Sequence, residues 1–219
     1  MNNGNAAVLC AAGMDEIPSL YENLRQQFPP EELYPEEILR SLIDKGRYQI
    51  FLYKRASDNA LIGYALMFYP QDGITVWLDY IAILEEYKGM GYGGSLFQAL
   101  CRRFGDASLG MLFSVEYICE QDAALAEKQR RRLGFYKKMG AVPLRADFQL
   151  PTDGGALPMY LFYKPFKRNR ITRDIQLRTV AEMYEYCFSY LPHRRKLLED
   201  SQESYVDEVI EDAQEGQAG

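Results

Sequence analysis

WLDYIAILEEYKGMGYGGSLFQALCRRF, residues 77–104, passes from a strand through a glycine-rich turn into a helix, and the rest of the chain can be placed around it. Residues 76–83 are β-branched, aromatic or aliphatic except for Asp79, as in a buried strand. Residues 84–88 form a short polar connection. Beyond the glycines, apolar residues recur at helical spacing as far as Phe104. The pattern therefore predicts a strand, a turn and a helix in that order.

The turn is distinguished by four glycines within six positions, namely Gly89, Gly91, Gly93 and Gly94. Glycine suits a backbone with positive φ, or one that a bulky group must approach closely. A helix that begins in such a turn presents unpaired N–H groups at the positive end of its dipole, which favours an anion and above all a phosphate. Lys88 would add a full positive charge. Alternatively, the glycines only let the helix pack closely on the sheet.

The glycine spacing also satisfies the G-x-G-x-x-G pattern of dinucleotide-binding proteins, with Glu116 as a candidate ribose-binding acid. In that pattern the first glycine follows the strand almost directly, whereas residues 84–88 intervene here. A nucleoside-triphosphate loop requires a lysine before its serine, and Gly94 occupies that position. A nicotinamide oxidoreductase is therefore only a distant alternative.

The segment KGMGYG at residues 88–93 follows a known family pattern. It looks like the Arg/Gln-x-x-Gly-x-Gly/Ala segment of the GCN5-related N-acetyltransferases, with lysine in place of the usual arginine or glutamine. The preceding L-x-x-I-A-I at residues 78–83 and the later FYKKMGA at residues 135–141 also resemble that family. The resemblance covers roughly residues 6–164. It implies the α/β (α+β) fold of the family, a mixed and mostly antiparallel sheet flanked by helices, with a gap between the fourth and fifth strands.

The same resemblance implies acetyl-coenzyme A as cosubstrate, without a metal. The backbone of the fourth strand would pair with the pantetheine and donate an N–H to the developing oxyanion. The glycine-rich turn would hold the pyrophosphate. The residues expected to bind the cosubstrate are Tyr80, Ile81, Ala82, Ile83, Lys88, Gly89, Met90, Gly91, Tyr92, Gly93, Gly94 and Ser95.

Two carboxylates are candidates for the general base that takes a proton from an amine. Glu116 lies near the end of a predicted strand, on the face of Leu112 and Ser114, where apolar surroundings can raise its pKa into the useful range. An equally favoured interpretation is a strand-end acid paired with an arginine. Asp79, acting through water, is the other candidate.

Tyr136 is the candidate general acid. Its position in a predicted helix over 121–139 is that of an ordinary core residue, and only the family resemblance assigns it to protonating the departing thiolate. A covalent route through Cys119 is disfavoured because the sequence offers no base to activate that thiol.

Composition excludes several other classes of function. A chain of 219 residues, 47% of them hydrophobic, can form one main core. It has no apolar run near the roughly 20 residues of a membrane-spanning helix and no secretory signal, so we expect a cytoplasmic protein with reduced cysteines. The net charge of −6 argues against a nucleic-acid partner. The single histidine, His193, excludes a two-histidine or three-histidine zinc site.

The chain divides into three expected parts. Residues 1–165 would form the acetyltransferase domain, 166–200 a C-terminal helical extension, and 201–219 an acidic, flexible tail. The extension contains one predicted helix over 176–198, which is also a candidate contact for a homodimer. Within the domain, the acidic connection 31–37 borders the acceptor site in the family, but we expect its carboxylates mainly as surface charge and helix caps.

These observations predict an enzyme of the N-acetyltransferase family that moves an acetyl group to a primary amine by direct attack in a ternary complex. A small-molecule acceptor is favoured over a protein, and the acidic balance favours a cationic one. The main alternative is a catalytically inactive module that binds acyl-coenzyme A and acts as a regulator or scaffold.

Overall fold

The computed structural model describes residues 6–210. Its main sheet contains β1 (Ala7–Ala11), β2 (Tyr48–Arg55), β3 (Leu61–Phe68), β4 (Thr75–Ile83), β5 (Gly110–Glu116), β6 (Val142–Thr152) and β7 (Gly155–Pro165). The helices are α1 (Ile17–Gln27), α2 (Glu36–Asp44), α3 (Tyr92–Phe104), α4 (Ala123–Lys138), α5 (Arg173–Cys187) and α6 (Arg194–Ser201). Two short strands, β8 (Arg170–Ile171) and β9 (Glu208–Val209), pair separately.

The strand order is β1-β2-β3-β4-β5-β7-β6, and every neighbouring pair is antiparallel except β4 and β5. The parallel pair is joined over its first three positions, ending at Trp77 opposite Leu112. Beyond Trp77 the two strands part, which opens a gap at the centre of the sheet. The predicted fold class, including this gap, is confirmed.

Helices cover both faces of the sheet and divide the core in two. On one face, α1, α2 and α5 pack around Trp77 and Tyr80 of β4. On the other face, α3 and α4 pack on the side of Val76 and Leu78. Helix α5 is joined to β4 by a buried hydroxyl pair, Thr179 with Thr75, whose Oγ1 atoms lie 2.7 Å apart. The C-terminal extension is thus part of the core that supports β4.

A β-bulge in β4 interrupts the expected alternation of its side chains. Leu66 of β3 lies opposite Tyr80 and Met67 lies opposite Leu78, so Asp79 has no partner on β3. An extra residue of this kind lets two successive side chains point to one face. Asp79 accepts hydrogen bonds on the face where Tyr80 packs, and both therefore face α1 and α5.

The C-terminal region differs from its prediction in two respects. The single helix predicted over 176–198 is two helices, α5 and α6, because Pro192 cannot continue a helix and the chain turns around it. Residues 201–210 are also packed rather than flexible, since Tyr205 is 1% exposed and Ile210 is 8% exposed. The acidic composition of this segment gave no indication that Tyr205 and Ile210 would be buried. The rest of the predicted tail, 211–219, lies outside the described residues. Within residues 6–210, no helix is both long enough and apolar enough to cross a membrane.

Candidate active site

A cleft open to solvent lies where β4 and β5 part. Strands β4 and β5 and helix α4 form the walls on either side of the gap. The rest of the wall comes from the end of α1 and the turn after it, from β6 and β7, and from the residue that follows α5. The lining residues are Gln27, Phe28, Glu32, Tyr34, Leu78, Asp79, Tyr80, Ile81, Phe113, Ser114, Glu116, Arg132, Tyr136, Leu150, Met159 and Phe188.

The glycine-rich turn has the conformation that its sequence predicts. Gly89 and Gly91 have φ angles of +78° and +84°, and a Cβ at either position would meet nothing within 4 Å. Conformation rather than lack of space therefore requires glycine there. Gly91 precedes the first residue of α3, and no side chain caps this end of the helix. The first N–H groups of α3 are consequently available to an anion.

The last two glycines, Gly93 and Gly94, face the other helix of this side of the sheet without a steric need for glycine. A Cβ on Gly93 would lie 3.8 Å from the Phe135 ring, and one on Gly94 would lie 3.8 Å from the sulfur of Met139. Both are ordinary van der Waals distances, so a methyl group would fit at either position between α3 and the end of α4. Close packing therefore does not account for this second pair, whereas positive φ accounts for Gly89 and Gly91.

Other side chains of the turn differ in exposure. Lys88 is exposed and forms an ion pair with Glu85, with 2.6 Å between Nζ and Oε2. Met90 is 61% exposed, whereas Tyr92 is buried and meets Tyr87 edge-on at 6.0 Å between ring centroids. A phosphate at the start of α3 would therefore compete with Glu85 for Lys88.

The outer half of β4 has an open backbone edge toward the gap, because β5 no longer pairs with it. Alternate backbone groups of a strand point to opposite sides, so those not used by β3 face the gap. Ile81 lines the cleft there. At the end of the strand, the carbonyl of Ile83 accepts a hydrogen bond of 3.2 Å from Nε2 of Gln27. Ala82 lies between them and packs in the core.

Asp79 is held at the base of the cleft by two donors, the hydroxyl of Tyr48 and the indole N–H of Trp77. Burial raises the pKa of Asp79 to about 6, against these hydrogen bonds, which favour the charged form. Its carboxylate oxygens are thus largely committed to the protein.

This pKa predicts a pH-dependent effect on stability. A carboxyl group whose pKa is higher folded than unfolded contributes most when protonated, and that contribution is lost as the pH rises through about 6. The side chain introduced by Asp79→Asn is uncharged at every pH. We expect the difference in melting temperature, variant minus wild type, to become more positive from pH 4 to pH 8 in thermal scans. A constant difference would contradict the raised pKa.

Glu116 adopts the second of its two predicted arrangements. Its carboxylate forms an ion pair with Arg132 of α4, and the Glu116 side chain is 16% exposed. The pair bridges β5 to α4 at the wall of the cleft. Glu116 is therefore in the site, but it is engaged by an arginine.

Tyr136 reaches the cleft from α4, the helix that also carries Arg132. It is 7% exposed and packs against Phe113, with 4.6 Å between ring centroids. Burial raises the pKa of Tyr136 to about 12, against the nearby charge of Arg132. The phenol therefore holds its proton at neutral pH and can act as a donor.

Glu32, Tyr34 and Phe188 are among the cleft residues that were not predicted as site residues from the sequence. Glu32 lies in the predicted acidic connection, where it was expected as surface charge. Burial raises its pKa to about 7, and repulsion from Glu116 adds to the shift. Tyr34 and Phe188 pack together with 5.2 Å between ring centroids, and Phe188 belongs to the C-terminal extension. No local pattern marks these residues, because they meet only through the tertiary fold.

Several solved structures are similar to this chain. A putative acetyltransferase of the GNAT family from Bacteroides thetaiotaomicron has 20% identity and a TM-score of 0.65, over 81% of this chain and 96% of that one. Spermidine N-acetyltransferase from Vibrio cholerae, solved with CoA and spermine, has 14% identity and a TM-score of 0.55, over 75% and 97%. Arabidopsis thaliana NAA60, solved with a bisubstrate analogue, has 16% identity and a TM-score of 0.54, over 73% and 98%. At these identities the likeness establishes the fold.

The family is established from the sequence itself. No curated protein has a matching sequence. The model of the Acetyltransferase (GNAT) family, however, matches residues 17–141, which run from the start of α1 to just beyond α4 and include the turn, Glu116 and Tyr136. Because this match covers more than half of the 219 residues, the chain belongs to the acetyltransferase (GNAT) family.

Proposed function

We propose that the protein transfers the acetyl group of acetyl-coenzyme A directly to a primary amine in a ternary complex. The observation that carries the proposal is the placement of the uncapped start of α3 at the end of β4, beside a cleft that holds Tyr136 and several carboxylates. The first site suits a pyrophosphate, and the second suits an amine and a leaving thiolate. Holding both substrates in one gap supplies much of the acceleration.

The proposed roles follow from the positions of the groups. The turn from Lys88 to Ser95 binds the pyrophosphate through its N–H groups, and the free edge of β4 pairs with the pantetheine. A backbone N–H of that edge stabilises the oxyanion. Tyr136 donates a proton to the thiolate as the C–S bond breaks. Asp79 accepts hydrogen bonds from Tyr48 and Trp77 and so holds the floor of the cleft in place.

We infer that the acceptor is a small cationic amine. The cleft contains three carboxylates, on Glu32, Asp79 and Glu116, against the one cationic side chain of Arg132 among its described lining residues. A positively charged amine is attracted to such a site. The similar V. cholerae enzyme was solved with spermine, itself a small polycation, which agrees with this inference.

A panel of amines tests the proposed function. Dicationic, monocationic and neutral primary amines are each offered as acceptors together with acetyl-coenzyme A. Release of the coenzyme A thiol gives the rate, and mass spectrometry identifies the product. We expect an acetylated product and the highest kcat/KM with a cationic amine. Binding of acetyl-coenzyme A without transfer to any amine would instead support an inactive regulatory module.

Tyr136→Phe should lower kcat by roughly 10² or more, because general acid catalysis contributes about 10² to 10⁴. The ring remains in its aromatic cluster, so we expect the Kd for acetyl-coenzyme A and the melting temperature to stay near those of the wild type. Steady-state kinetics and calorimetry measure these quantities. Tyr163→Phe is the matched control, since that phenol lies in the core and outside the cleft lining. Equal effects of the two substitutions would contradict the role of Tyr136.

A further inference from the structure

We propose that Glu32 is the general base that removes the proton from the acceptor ammonium. The inference rests on the proposed function and assigns a step in it to a residue outside the two carboxylates expected from the sequence. It stands on the position of Glu32 in the cleft and on the absence of a side-chain partner for it among residues 6–210.

The other carboxylates of the cleft are already engaged. Asp79 accepts from Tyr48 and Trp77, and Glu116 is paired with Arg132. Among the residues that the structure describes, none forms a hydrogen bond or an ion pair with the Glu32 carboxylate. A base must have a free lone pair to receive a proton, and Glu32 offers one without first breaking an ion pair.

The backbone of Glu32 is nonetheless fixed. It closes the short 3₁₀ turn Pro30–Glu32, in which its N–H donates to the carbonyl of Pro29 at 3.0 Å. Its own carbonyl accepts from the hydroxyl of Tyr80, which ties the turn to the bulged part of β4. Phe28 packs edge-on against the Tyr80 ring at 5.0 Å between centroids. The side chain is thus placed at the gap by contacts that leave its carboxylate available.

Glu32 also lies where an acceptor would enter. A second pocket adjoins the cleft, and we call it the outer pocket. It is lined by Pro30, Glu31, Glu32, Leu33, Tyr34, Pro151, Thr152, Asp153, Gly154, Phe188 and Tyr190. Glu32, Tyr34 and Phe188 line both spaces. An amine that passes from the outer pocket into the gap therefore meets the Glu32 carboxylate on the way.

The surroundings of Glu32 bring its pKa close to neutral pH, where it can accept and release a proton. Burial together with the charges of Glu116 and Glu31, and against the charge of Arg132, raises its pKa to about 7. The other titratable groups that line the outer pocket or contact the turn are Asp153, Tyr34, Tyr190 and Tyr80. A base whose pKa is near the working pH is deprotonated in a large fraction of the molecules and still has a high affinity for the proton.

Two protons leave the nitrogen during the transfer. The ammonium gives one proton to Glu32, and the free nitrogen lone pair then forms the C–N bond at the thioester carbonyl. As the C–S bond breaks, the thiolate takes a proton from Tyr136, and the second nitrogen proton restores that phenol. Glu32 releases its proton to solvent. The products are the amide, the thiol and one free proton.

Glu32→Gln tests the assignment. We expect kcat/KM for the amine to fall at least 100-fold at pH 7.5, with the Kd for acetyl-coenzyme A unchanged. The wild-type rate should decline below about pH 7, as Glu32 is protonated, and this acidic limb should disappear in the variant. Glu32→Asp should restore part of the rate and retain the limb. Glu199→Gln is the matched control, because Glu199 of α6 is exposed and lines neither the cleft nor the outer pocket.

Two further variants should move the acidic limb in opposite directions. Arg132→Gln removes the cation that lowers the Glu32 pKa, so the limb should shift to higher pH. Glu116→Gln removes a repelling anion, so the limb should shift to lower pH. A purely structural role for Glu32 would give neither shift.

The outcomes separate this inference from the proposed function. Wild-type acetylation together with an unchanged rate and limb in Glu32→Gln would overturn the assignment and leave the function standing. A wild type that binds acetyl-coenzyme A but acetylates no amine would overturn both.

Discussion

Gly91→Glu is expected to weaken acetyl-coenzyme A binding at least 100-fold, which is about 3 kcal/mol. The substitution places a carboxylate at the uncapped start of α3, where the account puts the pyrophosphate. The new charge repels the phosphates and occupies the positive end of the helix dipole. Space for the side chain exists, since a Cβ at Gly91 would meet nothing within 4 Å. Isothermal titration calorimetry measures the loss.

Backbone strain alone could weaken binding indirectly, and Gly46→Glu controls for it. Gly46 has a φ of +86°, nearly that of Gly91 at +84°, and a Cβ there is equally free of contacts. Both substitutions should cost about 1–3 kcal/mol of stability from left-handed backbone. Only Gly91→Glu should lose affinity. Equal affinities in the two folded variants would contradict the phosphate site and leave the glycines of the turn a conformational role alone.

Met183→Ala is expected to destabilise the whole protein by about 2–5 kcal/mol, the usual cost of removing a large buried side chain. Met183 is 0% exposed and lies on α5, in the core cluster that contains Trp77 of β4. The extension should therefore unfold together with the sheet. Thermal scans should show a single transition lowered by roughly 5–15 °C.

Met14→Ala is the matched control for this effect, because the same atoms are removed from a side chain that is 39% exposed. Its melting temperature should stay within a few degrees of the wild type. Two separate transitions in Met183→Ala, with only the first one shifted, would instead show that the extension folds independently of the sheet.

The strand, turn and helix of residues 77–104 could be predicted because local chemistry determines them. A continuous apolar run predicted β4, helical apolar spacing predicted α3, and glycine was required where φ is positive at Gly89 and Gly91. The family resemblance supplied the gap between β4 and β5 and the expected role of Tyr136. Tyr136 lines the cleft because α4 forms part of the cleft wall.

The features that sequence analysis missed depend on long-range contacts. The bulge at Asp79 arises from its pairing with β3 and could not be read from a residue pattern. The partner of Glu116 is Arg132, 16 positions away on another element. Glu32 was taken for surface charge because its burial depends on β4 and β5, which are distant in sequence. The packing of Tyr205 and Ile210 was concealed by their acidic neighbours.

Single-turnover transfer of a radiolabelled acetyl group tests the central claim most directly. Excess enzyme is mixed with labelled acetyl-coenzyme A, with or without a cationic diamine, and quenched at intervals. We predict that the label passes to the amine in one step, that no labelled protein accumulates, and that without amine the label stays on coenzyme A. Labelled protein formed without amine would contradict direct attack, and label that never leaves bound coenzyme A with any amine would contradict catalysis itself.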